Sequence, residues 1–350
     1  MDESTRGTVG PEGRTGPSLG LYFFSALEEN VADADGYRLL LDAARAADDQ
    51  GLRFVWVPER HFTPFGGGHP NPAVLAAAIA AVTHSVRIRA GSVVLPLHDP
   101  LRVAEEWAVV DNLSGGRAEI SSATGWNARD FVLAPENFTD RAERARHDLR
   151  TVQDLWRGNA VRRKGPDGVD HTVRTYPRPV QPGLPCWITA TGNTDTFAYA
   201  GELGAGLLTG YGAFTTRQLG ECIGAYRRAY AAHHGGRGRV CVMAHAAIGA
   251  SGEEMRRRAE GPLRRYLAAF LSQGDPPADT LLGEKRLVFA AQLHLRGRSL
   301  IGDRAEALET VHRMHAVGAD EIACLVDFGL PRQTVLDTVA ELAAIHAHLS

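Results

Sequence analysis

The sequence predicts an α/β fold, a (β/α)8 barrel of the TIM type with insertions at about 158–185 and 251–297. Two observations predict it: short β-rich runs alternate with amphipathic helical stretches from residue 19 onward, and eight such runs can be counted. A chain of 350 residues, 44% of them hydrophobic, is also long enough for one large barrel. A doubly wound open sheet is the alternative fold.

The first half of the chain contains four strand and helix units. Apolar side chains in 33–50 fall at i, i+3, i+4 and i+7, which predicts an amphipathic helix that ends at Gly51. A proline opens the second helix, and Ser114-Gly115-Gly116 closes the third. The strands predicted here are 19–24, 53–57, 86–95 and 117–122, and the helices are 33–50, 72–83, 100–113 and 140–156.

The second half contains the two insertions. Residues 158–185 are polar and rich in glycine and proline, which favours a hairpin laid over one end of the barrel as a lid. The pattern becomes irregular again at 251–297, with helical stretches near 253–271 and 279–293. The other strands expected are 186–190, 204–210, 240–249 and one near the end of 302–329, and the other helices are 194–203, 215–233, one early in 302–329, and 332–349.

Composition excludes several classes of protein. A net charge of -3 and a pI near 6.5 give no basic surface of the kind that binds nucleic acids or anionic membranes. The four cysteines lie far apart, so reduced thiols are expected rather than a zinc site or a disulfide framework. Residues 1–18 lack the apolar core of a signal peptide and are interpreted as a disordered leader before a barrel domain at 19–350, in a cytoplasmic protein.

Polar and aromatic residues follow the predicted strands, where the active site of such a barrel lies. They are Glu59, Arg60, His61 and Phe62 after the second strand, Thr124, Gly125, Trp126 and Asn127 after the fourth, and Thr191, Gly192, Asn193 and Thr194 after the fifth. The last group has small side chains at the start of a helix, where backbone N–H groups bind phosphate, and so indicates a phosphorylated ligand.

Each group also has a plainer interpretation. Residues 191–194 fit a simple helix N-cap, and Glu59 with His61 fits a solvated ion pair. A single Trp126 is often no more than packing. His98, after the third strand, is assigned no role. The sequence has no His/Asp/Glu cluster with zinc-like spacing and no G-x-S-x-G elbow, so neither a metal site nor a hydrolase is predicted.

Taken in order, these motifs resemble those of the bacterial luciferase-like flavin-dependent monooxygenases, from about residue 19 to residue 349. The D-x-L-S-x-G-R turn at 111–117 is shared across that superfamily, whereas GWN followed by DFVLAPENF at 125–138 is more discriminating. The segments that look most like the branch found in natural-product biosynthesis are WVPERHF (56–62), VVLPLHDPLRVAEEWAVVDNLSGGR (93–117), GWNARDFVLAPENF (125–138) and GADEIACLVDFG (318–329).

The resemblance implies FMN bound across the strand ends. It implies a cis non-proline peptide at Gly91–Ser92, at the end of the third strand. The residues expected near the phosphate are Thr191, Gly192, Asn193 and Thr194, and those expected near the ring are Gly91, Ser92, Thr124 and Tyr211.

The sequence departs from luciferase itself at three positions. The second strand of luciferase is followed by two consecutive histidines, and Arg60 stands at the first, catalytic position. Arg60 is therefore expected to be a fixed cation, and His61 a packing or flavin-adjacent residue. Ala123 replaces the reactive cysteine and Thr124 the phosphate-binding arginine, so altered oxygen chemistry rather than light emission is expected.

The resemblance implies an oxidoreductase that takes reduced FMN from a separate reductase and transfers one oxygen atom from O2 to a secondary-metabolite intermediate, free or held on a carrier protein. Arg60, His61 and Asn127 are then the candidate catalytic residues, and Glu59 and Trp126 contact substrate or exclude water. A homodimer or higher homo-oligomer is expected.

Two alternatives remain open. One is a deazaflavin-dependent oxidoreductase of the same superfamily, and the other is a flavin-binding protein without catalysis.

Overall fold

A computed structural model describes residues 16–25, 32–273 and 281–350 of the chain. Eight parallel strands form a closed barrel, because β9 pairs with β8 on one side and with β11 on the other. Three further strands, β5, β6 and β10, lie outside these eight. In chain order the strands are β1 (Ser18–Tyr22), β2 (Phe54–Val57), β3 (Arg87–Val94), β4 (Ala118–Ala123), β5 (Val161–Lys164), β6 (Asp170–Val173), β7 (Cys186–Thr189), β8 (Gly206–Gly210), β9 (Val240–Ile248), β10 (Leu300–Gly302) and β11 (Glu321–Leu325). Closure confirms the predicted barrel over the open sheet.

Helices surround the barrel between its strands. They are α1 (Ala34–Asp49), α2 (Pro72–Ala80), α3 (Pro100–Ser114), α4 (Arg141–Arg157), α5 (Thr194–Leu203), α6 (Thr216–His234), α7 (Gly252–Leu271), α8 (Leu281–Leu295), α9 (Arg304–Val317) and α10 (Arg332–His348). The barrel strands run in the order β9-β11-β1-β2-β3-β4-β7-β8. The ends of β2, β3, β4 and β7 therefore lie side by side on one rim. Residues 1–15 of the expected leader lie outside the described residues.

Local sequence explains where the helices begin and end. α3 begins where Asp99 Oδ1 accepts the Leu101 N–H at 2.8 Å and Pro100 occupies the first turn. It ends at Gly115, whose φ of 65° is in the left-handed region that favours glycine. Capping residues, prolines and glycines of this kind explain why most predicted bounds lie within a few residues of those observed.

The N-terminal half of the barrel interior is filled by a charged and aromatic layer. Arg89 is 2% exposed and forms ion pairs with Glu119 and Glu321. Its guanidinium carbon lies 5.0 Å and 4.6 Å from the ring centroids of Trp56 and Trp187. This layer lies below the rim and occupies the barrel axis.

The first insertion contains the predicted hairpin. β5 and β6 pair as antiparallel strands. Arg163 of β5 forms an ion pair at 3.5 Å with Asp99, which follows β3 and caps α3. The segment after the hairpin packs at the N-terminal ends of the strands, where Gln181 Nε2 donates to the Ala118 carbonyl at 2.8 Å and Arg87 donates to Gln181 Oε1 at 2.8 Å. The expectation that this insertion acts as a lid stays a prediction.

The second insertion covers the rim. α7 and α8 follow β9, so this connection begins at the C-terminal end of a strand. Phe65, after β2, packs against Tyr266 and Phe270 of α7, with ring centroids 5.2 and 5.6 Å away. Residues 274–280, where part of the second expected helical stretch falls, lie outside the described residues. The three-residue β10, which pairs with β9, was not predicted.

Within the described ranges, no helix is both long enough and apolar enough to cross a bilayer. The four cysteines, Cys186, Cys222, Cys241 and Cys324, are free thiols, which confirms the expectation of reduced cysteines.

Candidate active site

Glu59 holds two histidines beside β2. Its side chain is completely buried, and Oε1 accepts from His61 Nε2 at 2.9 Å and from His98 Nε2 at 2.6 Å. The other oxygen, Oε2, accepts the Val94 N–H at 2.8 Å. Glu59 is therefore a buried anchor and not a solvated surface ion pair. His61 is 11% exposed and His98 is 30% exposed, so both imidazoles reach toward the rim.

Burial disfavours ionisation of Glu59, but the hydrogen bonds from the two imidazoles and from Val94 outweigh it and lower the pKa of Glu59. Burial also disfavours the charged form of His98, yet the Glu59 carboxylate raises the pKa of His98. The pair is thus an ionised carboxylate beside a readily protonated imidazole. The sequence analysis missed His98. Glu59 follows β2 and His98 follows β3, and these two strands are neighbours in the barrel.

Arg60 is held at the rim by residues from two other segments. Its Nη1 donates to Asp130 Oδ2 at 3.0 Å and its Nη2 donates to Gln273 Oε1 at 3.0 Å. The ion pair with Asp130 is buried, with side chains 5% and 7% exposed. Trp126 is 56% exposed, and the guanidinium carbon of Arg60 lies 4.8 Å from its ring centroid. Arg60 is thus a fixed cation, with both terminal nitrogens engaged.

Asn127 joins the same group of residues. Its side chain donates to Gln273 Oε1 at 3.4 Å, and Gln273 Nε2 donates to Thr63 Oγ1 at 3.2 Å. Gln273, directly after α7, therefore ties together the segments that follow β2 and β4. No sequence signal identifies Gln273, because it belongs to the irregular second insertion. Asp130 lies inside the GWNARDFVLAPENF motif and could have been found there.

The residues expected beneath the flavin ring form a small polar floor. The Gly91–Ser92 peptide is cis, as the resemblance implied, and the register between β3 and β4 shifts at this point. Ser92 Oγ lies 2.5 Å from Thr189 Oγ1, which lies 2.7 Å from Ser121 Oγ. The Tyr22 hydroxyl donates to the Gly91 carbonyl, and burial raises the pKa of Tyr22.

The segment expected to hold a phosphate is exposed at the start of α5. Asn193 caps this helix, because its Oδ1 accepts the Asp195 N–H at 2.9 Å. The backbone N–H groups of Gly192 and Asn193 have no acceptor among the described residues. Gly192 has a φ of 102°, and a Cβ added there would meet no atom within 4 Å. The N-cap interpretation is thus correct, and it leaves backbone donors free for an anion as well.

The remaining predicted residues lie on the same rim but join no common contact. Thr124 is exposed, and its hydroxyl bonds only the Gly125 carbonyl, at 3.4 Å. Tyr211 is buried in a short 3-10 turn after β8. In the described part of the chain, residues 191–194 form no hydrogen bond or ion pair with the Arg60 or Glu59 groups, so a ligand would have to bridge them.

A closed β/α barrel with polar side chains and a helix N-terminus on its C-terminal rim has the architecture of the barrel enzymes. The family model of luciferase-like monooxygenases matches residues 19–321. The chain belongs to the luciferase-like monooxygenase family.

Two curated relatives show the range of the family. The F420-dependent glucose-6-phosphate dehydrogenase of Amycolatopsis mediterranei is 31% identical over 186 residues, which cover 51% of this chain and 54% of the relative. The oxygenase component of the flavin-dependent trigonelline monooxygenase of Acinetobacter baylyi is 28% identical over 157 residues, covering 44% and 43%. The chain thus matches about half the length of each.

Solved structures share the fold over nearly the whole chain. The monooxygenase RslO1 from Streptomyces bottropensis superposes with a TM-score of 0.80 at 21% identity, covering 93% of this chain and 98% of that one. The oxygenating constituent of 3,6-diketocamphane monooxygenase from Pseudomonas putida, in complex with FMN, gives 0.77 at 15% identity, covering 94% and 98%. At these identities the likeness shows the fold.

Proposed function

We propose that this protein is an FMN-dependent monooxygenase that takes reduced flavin from a separate reductase. In this proposal it transfers one oxygen atom from O2 to a secondary-metabolite intermediate, free or carrier-bound. The observation that carries it is the exposed N-terminus of α5, on the same rim as the Glu59 and Arg60 groups. The N–H groups of Gly192 and Asn193 there have no acceptor in the part of the chain that the structure describes.

The residues present fit FMN. The phosphate would bind at 191–194, where the free N–H groups and the helix dipole favour an anion. The ring would lie against Gly91, Ser92, Thr124 and Tyr211, and bound reduced FMN would supply the electrons that activate O2. Arg60 would balance negative charge near the ring. Its guanidinium would stay in place there, because the ion pair with Asp130 holds it.

His61 would accept a proton during the reaction. Its Nε2 donates to Glu59, which fixes the tautomer and leaves Nδ1 as an acceptor toward the rim. Nδ1 of His61 has no hydrogen-bond partner among the described residues. Trp126 and the aromatic contacts of α7 would exclude water from the reacting atoms.

The test measures flavin binding and oxygen reaction separately. FMN and F420 are titrated into the purified protein, and protein loaded with reduced FMN is then mixed rapidly with O2. We expect FMN to bind more tightly than F420, and a long-lived absorbing species that differs from both reduced and oxidised FMN. Direct formation of oxidised FMN at the rate seen without protein would contradict the proposal.

A hydride-transfer function is the second candidate, because the 31% identical relative is F420-dependent. Protein that binds F420 but not FMN, and that turns over a substrate without O2, would establish that alternative.

A further inference from the structure

A cavity lies at the N-terminal end of the barrel, opposite the rim that holds the candidate active site. It is formed between α4, α5 and α6, and the first residues of β7 and β8, Cys186 and Gly206, are part of its lining. Its volume is about 260 Å³. Sites for drug-sized ligands measure roughly 300–1,000 Å³, so this cavity suits a smaller molecule.

Arg239, directly before β9, is the only charged residue in the described lining of this cavity, which includes no Asp or Glu. Its guanidinium carbon lies 4.7 Å from the ring centroid of Trp187, so the indole holds the cation in place. The Arg239 side chain is 51% exposed. Burial raises the pKa of Cys186 to about 12, so the thiol beside Arg239 stays neutral. The cavity is therefore positively charged.

The carboxylate that Arg239 contacts is already used by another arginine. Nη1 of Arg239 lies 3.7 Å from Glu321 Oε1, while the other oxygen of Glu321 pairs with Arg89. Arg89 and Arg87 also pair with Glu119, at 2.8 and 2.7 Å. In this part of the described chain, three guanidiniums thus share two carboxylates. One positive charge is left over, and an anion beside the half-exposed Arg239 would neutralise it.

Two uncharged side chains of the lining are donors without a strong acceptor. Gln153 Nε2 donates to Cys186 Sγ at 3.5 Å, and a thiol sulfur is a weak acceptor. The hydroxyl of Tyr230 has no hydrogen-bond partner among the described residues. The last carbonyls of α5, which ends beside the cavity, already accept hydrogen bonds and so do not require a donor from a ligand. The donors that remain are suited to an acceptor-rich anion.

We propose that this cavity binds a small organic carboxylate. The two carboxylate oxygens would pair with the guanidinium of Arg239 and accept from Gln153 and Tyr230. The short apolar part of the ligand would contact Leu184 and Leu203, which also line the cavity. A cationic ligand does not fit, because the one charge in the described lining is a guanidinium. This site is separate from the proposed monooxygenase centre and does not depend on it.

The first test compares three probes of nearly equal shape: benzoate, benzamide and benzylamine. Calorimetric titration is done on the unmodified protein at about pH 7.5, where benzoate is ionised and benzylamine is protonated. The buffer is free of chloride, since chloride would compete for the guanidinium. We expect benzoate to bind at least about tenfold more tightly than benzamide, and benzylamine to bind least. Equal affinity for benzoate and benzamide would overturn the proposal.

Variants then locate the site. Arg239→Gln removes the charge but keeps a long side chain, and we expect it to weaken benzoate binding at least about tenfold. Gln153→Leu should weaken it by a smaller factor, and it tests the same cavity if Arg239→Gln does not fold. The control is Arg217→Gln, which removes an equal charge from a side chain that is 88% exposed at the start of α6. It should leave benzoate binding unchanged.

FMN separates this site from the flavin site. FMN affinity should be the same in all three variants, and saturating FMN should not displace benzoate. Unchanged benzoate binding in both Arg239→Gln and Gln153→Leu, or displacement of benzoate by FMN, would overturn the assignment to this cavity. Neither outcome bears on the oxygen reaction that tests the proposed monooxygenase.

Discussion

At the scale of single residues, Glu59 holds both neighbouring imidazoles. One carboxylate oxygen accepts from His61 Nε2 and from His98 Nε2. The negative charge of Glu59 raises the pKa of His98 and so favours its protonated form.

Glu59→Gln should lower the pKa of His98, because the amide no longer provides the negative charge that raises it. NMR titration of the His98 ring protons measures this directly. The stabilisation from His98 is present below its ordinary pKa and is lost as the pH rises through the raised value. The loss of stability in Glu59→Gln should therefore be larger near pH 6 than near pH 9. Glu105→Gln, on the exposed side of α3, is the control, and an unmoved His98 titration in Glu59→Gln would count against this account.

Arg60→Ala should destabilise the fold by about 3–5 kcal/mol, because it leaves the Asp130 carboxylate buried without its partner. The double variant Arg60→Met/Asp130→Leu should be more stable than Arg60→Ala, since both charges are then removed. Urea unfolding of the single and double variants measures this coupling. Removing Arg217 from its exposed pair with Glu221 should leave the stability nearly unchanged. The control is the sum of the losses in free energy of unfolding measured for Arg60→Met and for Asp130→Leu. A double variant whose loss equals that sum would show that the two residues are not coupled.

The sequence predicted several residues of the site but not how they are held. Glu59, Arg60 and Asn127 follow strands, and position in a barrel marks them. Gln273 lies 213 residues from Arg60 along the chain. Contacts over such distances depend on how an insertion packs, and periodicity contains no information about that.

At the scale of elements, the N-terminus of α5 is the expected phosphate site. Gly192→Asp should weaken FMN binding at least about tenfold relative to Gly192→Asn, because the carboxylate places a negative charge beside the phosphate. The two side chains have the same shape, so the strain that any side chain meets at a φ of 102° largely cancels. Fluorescence titration with FMN measures the ratio. Equal affinities would move the phosphate site elsewhere.

The docking of α8 depends on neutral histidines. His294 of α8 packs against His245 of β9 with ring centroids 4.7 Å apart. Burial lowers the pKa of His294 to about 4, and that of His245 falls well below its ordinary value. Because both are depressed, the stability they contribute is present above about pH 6.5 and is lost as the pH falls toward 4.

His294→Phe should therefore make the protein less sensitive to acid. Between pH 7 and pH 5 the unmodified protein should lose about 2 kcal/mol more free energy of unfolding than this variant. Urea denaturation at the two pH values measures the difference, and His312→Phe on the exposed face of α9 is the control. An equal acid loss in both variants would place the sensitivity in other groups.

Helices with a capping residue at one end and a glycine at the other were predicted best from the sequence. α5 was predicted with its observed bounds, because Asn193 caps one end and Gly204 ends the other. The three-residue β10 is too short to show alternation. The hairpin within 158–185 was predicted, but polar composition does not tell which end of a barrel such an insertion covers.

At the scale of the whole molecule, the expected homo-oligomer has a candidate surface. Val74 of α2 and Val109 and Leu113 of α3 are 64%, 44% and 59% exposed. Val109 and Leu113 are four residues apart and share one helix face. Exposed apolar side chains on two neighbouring helices favour association.

Leu113→Asp should convert a dimer into monomers of 37.7 kDa, because it places a charge in that apolar surface. Light scattering after size exclusion measures the mass. Val132→Asp, at a residue 72% exposed in the turn after β4, is the matched control and should not change it. An unmodified protein that is monomeric would refute the proposal at once.

The architecture as a whole was predictable because the alternation of strands and helices repeats eight times, which favours a barrel, and the pairing of β8 with β9 then shows that the sheet is closed. The interior was not. Arg89 in a strand pattern gives no sign that two glutamates and two tryptophans from four other strands surround it.

That buried layer also closes one end of the barrel. Arg89 is 2% exposed and lies between the Trp56 and Trp187 rings, so side chains fill the N-terminal half of the interior. In the function proposed above, flavin, O2 and substrate would therefore all enter and leave from the C-terminal rim.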